Sequence, residues 1–280
     1  MIPVPKDRLS SLAAGIADAI ARSEDPRRIA FEVKALVADA LRWRELVLDC
    51  LEAAVTAIEA WDGTSSWDNP PIVDDEDREF SVRLIYWPAG SGNRPHRHTY
   101  WTVTGVLFNE LSFRTFAEPS TARAPPAGER EFLGRSGDVG AIVPPCIHQV
   151  WNPSREASIS LHVFSGPRAG STDANRFERG STVWFDGAGA RDEGIERTAP
   201  SILEALTASL VSIDDPRSVL VLDRLFAAAA IEAKLDIVKA IARREPSRAV
   251  LPLRRLADQC PGEDRLRLHA LADRIRTAAG

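Results

Sequence analysis

At 280 residues with 44% apolar content, the chain can bury the core of one large or two modest domains. Thirty-five basic residues against 40 acidic ones leave a formal net charge of −5, which argues against general binding along a nucleic-acid backbone. Cys50, Cys146 and Cys260 are odd in number and widely spaced, so neither a disulfide framework nor a CxxC zinc site is indicated, and a reducing compartment fits this usage.

The opening Met1-Ile2-Pro3-Val4-Pro5-Lys6 has no apolar signal core, and no later run reaches the roughly 18 apolar residues of a membrane span, so a cytoplasmic address is expected. From residue 7 to about 60 the pattern is helical. Leu9, Leu12, Ala13, Ile16 and Ile20 follow the 3.6-residue period, and Asp25-Pro26 has the form of an N-cap and first-turn proline opening a second helix through Ile29, Val33, Leu36, Val37 and Leu41. Leu46, Leu48, Leu51, Val55 and Ile58 extend the pattern until Gly63-Thr64-Ser65-Ser66 and Asn69-Pro70-Pro71 break it; Asp74-Asp75-Glu76-Asp77 then reads as a solvated acidic loop.

From about 79 to 186 the texture changes to short runs rich in β-branched and aromatic residues between Gly, Pro and Asn turns. The predicted strands are Phe80–Trp87, Tyr100–Leu107, Leu111–Phe116, Glu131–Leu133, Gly140–Val143, His148–Trp151, Ile159–Phe164 and Thr182–Phe185, a spacing that points to an antiparallel sandwich or barrel. After about 198 Ala/Leu/Arg-rich stretches punctuated by Asp214-Asp215-Pro216, Glu245-Pro246 and Cys260-Pro261-Gly262 predict four or five short amphipathic helices. There is no exact repeat and no low-complexity tract. The expected organisation is helices over 1–65, a β domain over 66–190 and a helical region over 198–280, with self-association through those last helices as an option.

Only five histidines occur, and three have the arrangement a metal site needs. His96 and His98, at i and i+2 of a strand, face the same way, and His148 lies on a second strand-like segment that a β fold can bring alongside. Three neutral imidazoles with open positions suit a catalytic transition metal; zinc, nickel and copper suit them as well as iron. Cys146, two residues before His148, reads as a small strand residue packed beside the site rather than a nucleophile, and His269, among Arg265, Arg267 and Arg274, reads as surface.

Gly90 followed by His96-Arg97-His98, then Gly137-Asp138 leading through Pro144 to His148 and Asn152, resemble the two cupin motifs. More narrowly, Trp87-Pro88-Ala89-Gly90-Ser91-Gly92 before His96, and Gln149-Val150-Trp151-Asn152-Pro153-Ser154 running on to Ser160-Leu161-His162-Val163-Phe164, are similar to the cysteine dioxygenase (thiol dioxygenase) family over about residues 65–170. The resemblance implies a mainly β fold, a double-stranded β-helix barrel flanked by helices. It also implies one Fe(II) on His96, His98 and His148, and oxidation of a small thiol to its sulfinate with O2. The glutamate of the general cupin pattern is missing, since Thr99 to Phe108 holds no carboxylate. In the family a Ser-x-His-x-Tyr run supports the iron, and Ser160 and His162 match it while Phe164 replaces the phenol. Tyr100, after the second ligand, is a candidate to supply that phenol.

Pro70 stands where cysteine-specific members carry a carboxylate-binding arginine, and no thiol near Val103 is available for the crosslink of some animal-type members. Relatives that prefer 3-mercaptopropionate bring an arginine from the segment after the Ser-His-Tyr run, which makes Arg168 and Arg176 the expected carboxylate anchors, ahead of Arg83 and Arg97. Two other classes stay open: a cupin metalloenzyme acting on a non-thiol substrate, and a metal-binding sensory cupin working through its C-terminal helices.

Overall fold

A computed structural model describes residues 7–60, 69–118, 128–166, 182–184 and 199–279. Three helices come first, α1 (Arg8–Ala21), α2 (Pro26–Ala40) and α3 (Arg44–Glu59). The Asp7 carboxylate accepts from the backbone N–H of Ser10 at 2.6 Å and starts α1. Asp25 caps α2 by accepting from Arg27 N–H at 2.9 Å, with Pro26 in the first turn as its sequence predicts.

Ten strands follow among the described residues: β1 (Pro71–Asp75), β2 (Phe80–Trp87), β3 (His96–His98), β4 (Thr102–Phe108), β5 (Glu110–Phe116), β6 (Gly128–Arg135), β7 (Val139–Ile142), β8 (Ile147–Trp151), β9 (Ser158–Ser165) and β10 (Thr182–Trp184). They form two antiparallel sheets, in the orders β1-β2-β9-β4-β7 and β10-β3-β8-β5-β6. Part of the expected acidic loop is a strand: Pro71–Asp75 pairs with β2 at the sheet edge, where a missing proline N–H and charged side chains are tolerated.

All eight residues of β2 and all eight of β9 are buried, so these two strands of the first sheet are covered on both faces. On β9 the residues split by parity: Ile159, Leu161 and Val163 on one face, Ser158, Ser160, His162 and Phe164 on the other. The second face looks toward the other sheet, because Ile85, Trp87, Tyr100, Val106, Leu111, Val150 and Phe164 form one buried cluster drawn from both. On that inner face the registers line up a cross-strand row, Arg83–His162–Thr104–Gly140, over β2, β9, β4 and β7.

Helix α2 packs against β4 and β7 on the outer face. Gly105 permits the approach: a Cβ there would stand 2.5 Å from Leu41 Cδ1 and 3.2 Å from Val37 Cγ1. The consecutive strands β6 and β7 sit at edges of different sheets, β6 on β5 and β7 on β4, and no ladder joins these two edges among the described residues. The closed barrel of the sequence expectation is therefore replaced here by two sheets with an open seam. Helices also hold more of the described residues than strands do, so the chain as a whole is mixed helix and strand instead of mainly β.

Among the described residues five C-terminal helices follow: α4 (Ala199–Ser212), α5 (Pro216–Ala228), α6 (Ile231–Arg244), α7 (Pro246–Gln259) and α8 (Gly262–Ala279). By packing, Met1–Cys50 with Ser65–Arg197 form one unit, and Leu51–Thr64 with Thr198–Gly280 another, so the division falls within α3. In the second unit Arg217 pairs with Glu52 at 2.9 Å, and Arg224 pairs with Glu52 at 3.1 Å and Glu59 at 2.7 Å. Among the described residues no helix is long and apolar enough to cross a membrane.

Candidate metal centre

The segment before β3 is fastened to β8, and this fixes where His96 and His98 stand. Asn93 N–H donates to the Val150 carbonyl at 3.0 Å, and Asn93 Oδ1 accepts from Val150 N–H at 2.8 Å. The Gln149 amide donates to the Asn93 carbonyl at 2.9 Å. Gly92 must lack a side chain, since a Cβ there would lie 2.4 Å from Trp151 Cβ. The fully buried Asn152 amide donates to the carbonyls of Trp87, Pro88 and Glu156 at 2.9, 3.2 and 2.7 Å, joining the end of β2 to the end of β8. With these bonds in place β3 pairs with β8 so that His96 lies directly opposite His148.

His96, His98 and His148 are all buried, and one nitrogen of each lies within 4.8 Å of the others. Among the described residues the cluster holds three imidazoles and no carboxylate. His96 Nδ1 is 2.8 Å from the Arg94 carbonyl, and His148 Nδ1 is 3.3 Å from the Cys146 carbonyl. A carbonyl only accepts, so each Nδ1 carries the ring proton and each Nε2 keeps a lone pair for a metal. Cys146 thus serves the site through its backbone oxygen.

Burial pushes His96 down to about 4, against the opposing Arg94 carbonyl. Burial, then the neighbouring His96 and His162, pushes His98 down to about 3. Burial first, with His96, His98 and His162 adding to it, holds His148 well below the usual histidine range. All three rings are therefore neutral at pH 7, the form that ligates a metal, and the donor set fits a transition-metal ion.

Beside the triad runs a hydrogen-bonded chain. Trp87 Nε1–H donates to Ser160 Oγ at 2.8 Å, and Ser160 Oγ lies 2.8 Å from His162 Nε2. Ser160 Oγ accepts from the indole and shares one proton with His162 Nε2, while His162 Nδ1 faces Thr104 Oγ1 at 3.2 Å. The Phe164 ring stacks on His162 with centroids 5.3 Å apart and meets His98 edge-on at 6.3 Å. Tyr100 stacks on His98 at 4.8 Å. Sequence reasoning reached Ser160, His162 and Tyr100 but not Thr104 or the Trp87 bond; the signal is the register, which sets Thr104 opposite His162.

Arg168 and Arg176 lie outside the described residues. Arg97, partly exposed, pairs with the exposed Glu118 at 2.8 Å. Arg83 is buried on the inner face opposite His162, and donates to the Asn69 carbonyl at 3.2 Å and Ser81 Oγ at 3.4 Å, on the β1 side. His269 lies 3.2 Å from Asp258 in the helical unit. Sequence reasoning did not single out a cleft of about 440 Å³ at the β6–β7 seam, which reaches His148 and Thr104 and is also lined by Lys34.

No protein-family profile and no curated protein matches the chain. Solved structures similar to it include a cupin-superfamily sugar phosphate isomerase from Silicibacter pomeroyi, at 20% identity and a TM-score of 0.25 over 31% of this chain and 51% of that one. Another is an uncharacterized conserved protein with a double-stranded β-helix domain from Klebsiella pneumoniae, at 13% identity and a TM-score of 0.31 over 48% of this chain and 95% of that one. A third is hydroquinone 1,2-dioxygenase from Sphingomonas sp. TTNP3, at 6% identity and a TM-score of 0.29 over 37% and 68%. The chain spans about half the length of the first of these. Identities and scores this low leave the chemistry to be read from the site itself.

Proposed function

We propose that the chain is an Fe(II)-dependent dioxygenase that converts a small thiol carrying an acidic group, of the 3-mercaptopropionate or cysteine kind, to its sulfinate. The observation that carries this reading is the triad: three buried, neutral imidazoles with no carboxylate, beside the Ser160–His162 pair. A site with three neutral ligands leaves a bound cation its full charge, which favours capture of an anionic thiolate. Iron there would supply Lewis acidity toward the thiolate and the means of activating O2. The balance closes without an external reductant, since a thiolate plus O2 gives a sulfinate that contains both oxygen atoms.

The chain's own residues do the rest. His96, His98 and His148 present Nε2 lone pairs, held in aim by the Arg94 and Cys146 carbonyls in the first and third cases. Ser160, oriented by Trp87, and His162, oriented by Thr104, keep a proton positioned beside the triad. Tyr100 and Phe164 wall the site and exclude water, and Tyr100 takes the phenol role that Phe164 lacks. The acidic end of the substrate needs a cation, for which Arg168 and Arg176 are the candidates from sequence.

Anaerobic loading with ferrous iron, followed by oxygen-uptake and sulfinate assays against 3-mercaptopropionate, cysteine and cysteamine, tests the reading. One O2 consumed per sulfinate formed is the expected result; full iron occupancy with no uptake on any thiol sinks it. Phe164 in place of a phenol favours one second reading, a cupin metalloenzyme acting on a non-thiol organic acid, which the same iron-loaded protein would reveal by turning over such acids only.

A further inference from the structure

We infer that Lys34 is the anion anchor of the metal centre, and that the seam between β6 and β7 is the substrate entrance, selecting organic acids with an apolar body. The inference rests on the metal-centre reading above. The cleft at the seam is about 440 Å³, a size that suits a small organic ligand, and it runs to the ligand His148 and to Thr104, the partner of His162. It therefore touches both working parts of the site.

The charges along its wall are accounted for one by one. Arg114 is committed: its guanidinium donates to Glu131 at 2.8 Å and lies 5.1 Å over the Trp151 ring. Asp138 is also committed, its carboxylate accepting from Arg135 N–H at 2.8 Å. Lys34 alone of the three has no hydrogen-bond or ion-pair partner among the described residues, although its side chain is half-buried and lines the cleft. A carboxylate entering the cleft would find in that ammonium group a charge-assisted hydrogen-bond donor. Lys34 stands one turn before Val37 on α2, the helix that packs against β4 and β7, and from there lines the cleft beside β7.

The remaining wall specifies the ligand's middle. Phe132 and Leu133, on β6, line the cleft yet remain 52% and 50% exposed, an apolar lip on an edge strand that gains cover when a ligand's body rests on it. Val106, Phe113 and Ile142 continue that surface inward. The ligand this fits has a carboxylate at Lys34, an apolar body along the seam, and a metal-binding group at the His148 end. Arg83 is unsuited to the role: its donors go to Asn69 and Ser81 on the β1 side, and it is not part of the cleft wall.

Calorimetric titration of the full chain loaded with zinc, which has no redox chemistry, tests the anchor without relying on turnover. The probes are 3-mercaptopropionate, 3-phenylpropionate and the amide of each. Lys34→Met is expected to weaken both acids at least tenfold, leave both amides within twofold, and bind zinc as the wild type does, while Lys34→Arg restores most of the affinity. Equal acid affinity in Lys34→Met, a loss seen instead in Arg168→Met or Arg176→Met, or no acid binding to the wild type overturns the inference. Thiol oxidation by the iron-loaded chain with Lys34→Met unchanged would sink the anchor and keep the dioxygenase reading. Lys34-dependent binding of 3-phenylpropionate with no thiol turnover would keep the anchor and sink that reading.

Discussion

The two units of the chain treat buried polar groups in opposite ways. In the unit containing the sheets, His96, His98, His148, His162, Arg83, Gln149 and Asn152 are all buried, and every one has a hydrogen-bonding, ring or electrostatic partner. In the helical unit the buried polar residues among those described are Ser209 and Ser218, and the Ser218 hydroxyl donates to the nearby Asp215 carbonyl at 2.7 Å. Its charges include surface ion pairs such as Arg224 with Glu59, with Asp223 as the exception, one of whose carboxylate oxygens is buried without a hydrogen-bond partner among the described residues. Burying polar groups costs stability unless each is satisfied, so a region that concentrates them is organised around chemistry, while one that confines them to the surface is organised around packing.

The sharpest way to break that contrast is to remove a ligand. His148→Ala is expected to lower metal affinity by more than the roughly 100-fold typical of losing an outer partner, read by metal analysis after dialysis. One ion per chain retained by the variant would show that the histidines are structural.

Acidification probes all three rings together. In the unfolded chain these imidazoles take up protons near the ordinary value of 6.5, whereas in the folded chain His96 does so only at about 4 and His98 at about 3. The unfolded state therefore binds more protons as pH falls through 6.5, and the metal-free protein loses stability progressively from about pH 6.5 to about 3, by a few kcal/mol in order of magnitude. Thermal melts of the apo protein across this range check the sign; a melting temperature that rises toward pH 4 contradicts it.

Next comes the fastening of β2 to β8. Asn152→Ala removes three donated bonds to buried or part-buried carbonyls, and a loss of about 2–4 kcal/mol in chemical denaturation is expected, with weaker metal binding. His162→Ala is milder and more selective. Metal content should match the wild type while substrate turnover falls by roughly 10- to 100-fold, and an equal loss of metal would make His162 a ligand instead. Smallest is Arg224→Ala in the helical unit, expected to cost about 1 kcal/mol or less and to leave turnover intact; a large loss of activity would erase the contrast between the units.

Much of this was legible in the amino-acid order, for a local reason. Alternation along a strand tells which side chains share a face, so His96 with His98, and Ser160 with His162, could be grouped by eye. The Asp25-Pro26 start of α2 is likewise written in adjacent residues. What stayed hidden depends on pairing between distant segments. Thr104 joins His162 across 58 residues, and nothing near Thr104 marks it as different from any β-branched strand residue. Pro71–Asp75 was hidden because an edge strand tolerates the proline and acids that normally signal a loop. Lys34 carries no local mark that sets it apart from any other polar residue of an amphipathic helix; only the edge of β7 and the open seam give it a site to serve.

The direct pairing of His96 with His148 also bears on how the chain finds its fold. A slip of one residue between β3 and β8 would turn one ligand to the opposite face, and a bound ion would then lose a donor. An ion that binds only the correct register adds its binding free energy to that arrangement alone. The metal would thus act as a proofreader of assembly, clamping together two short strands about fifty residues apart and withholding its stabilisation from every misaligned alternative.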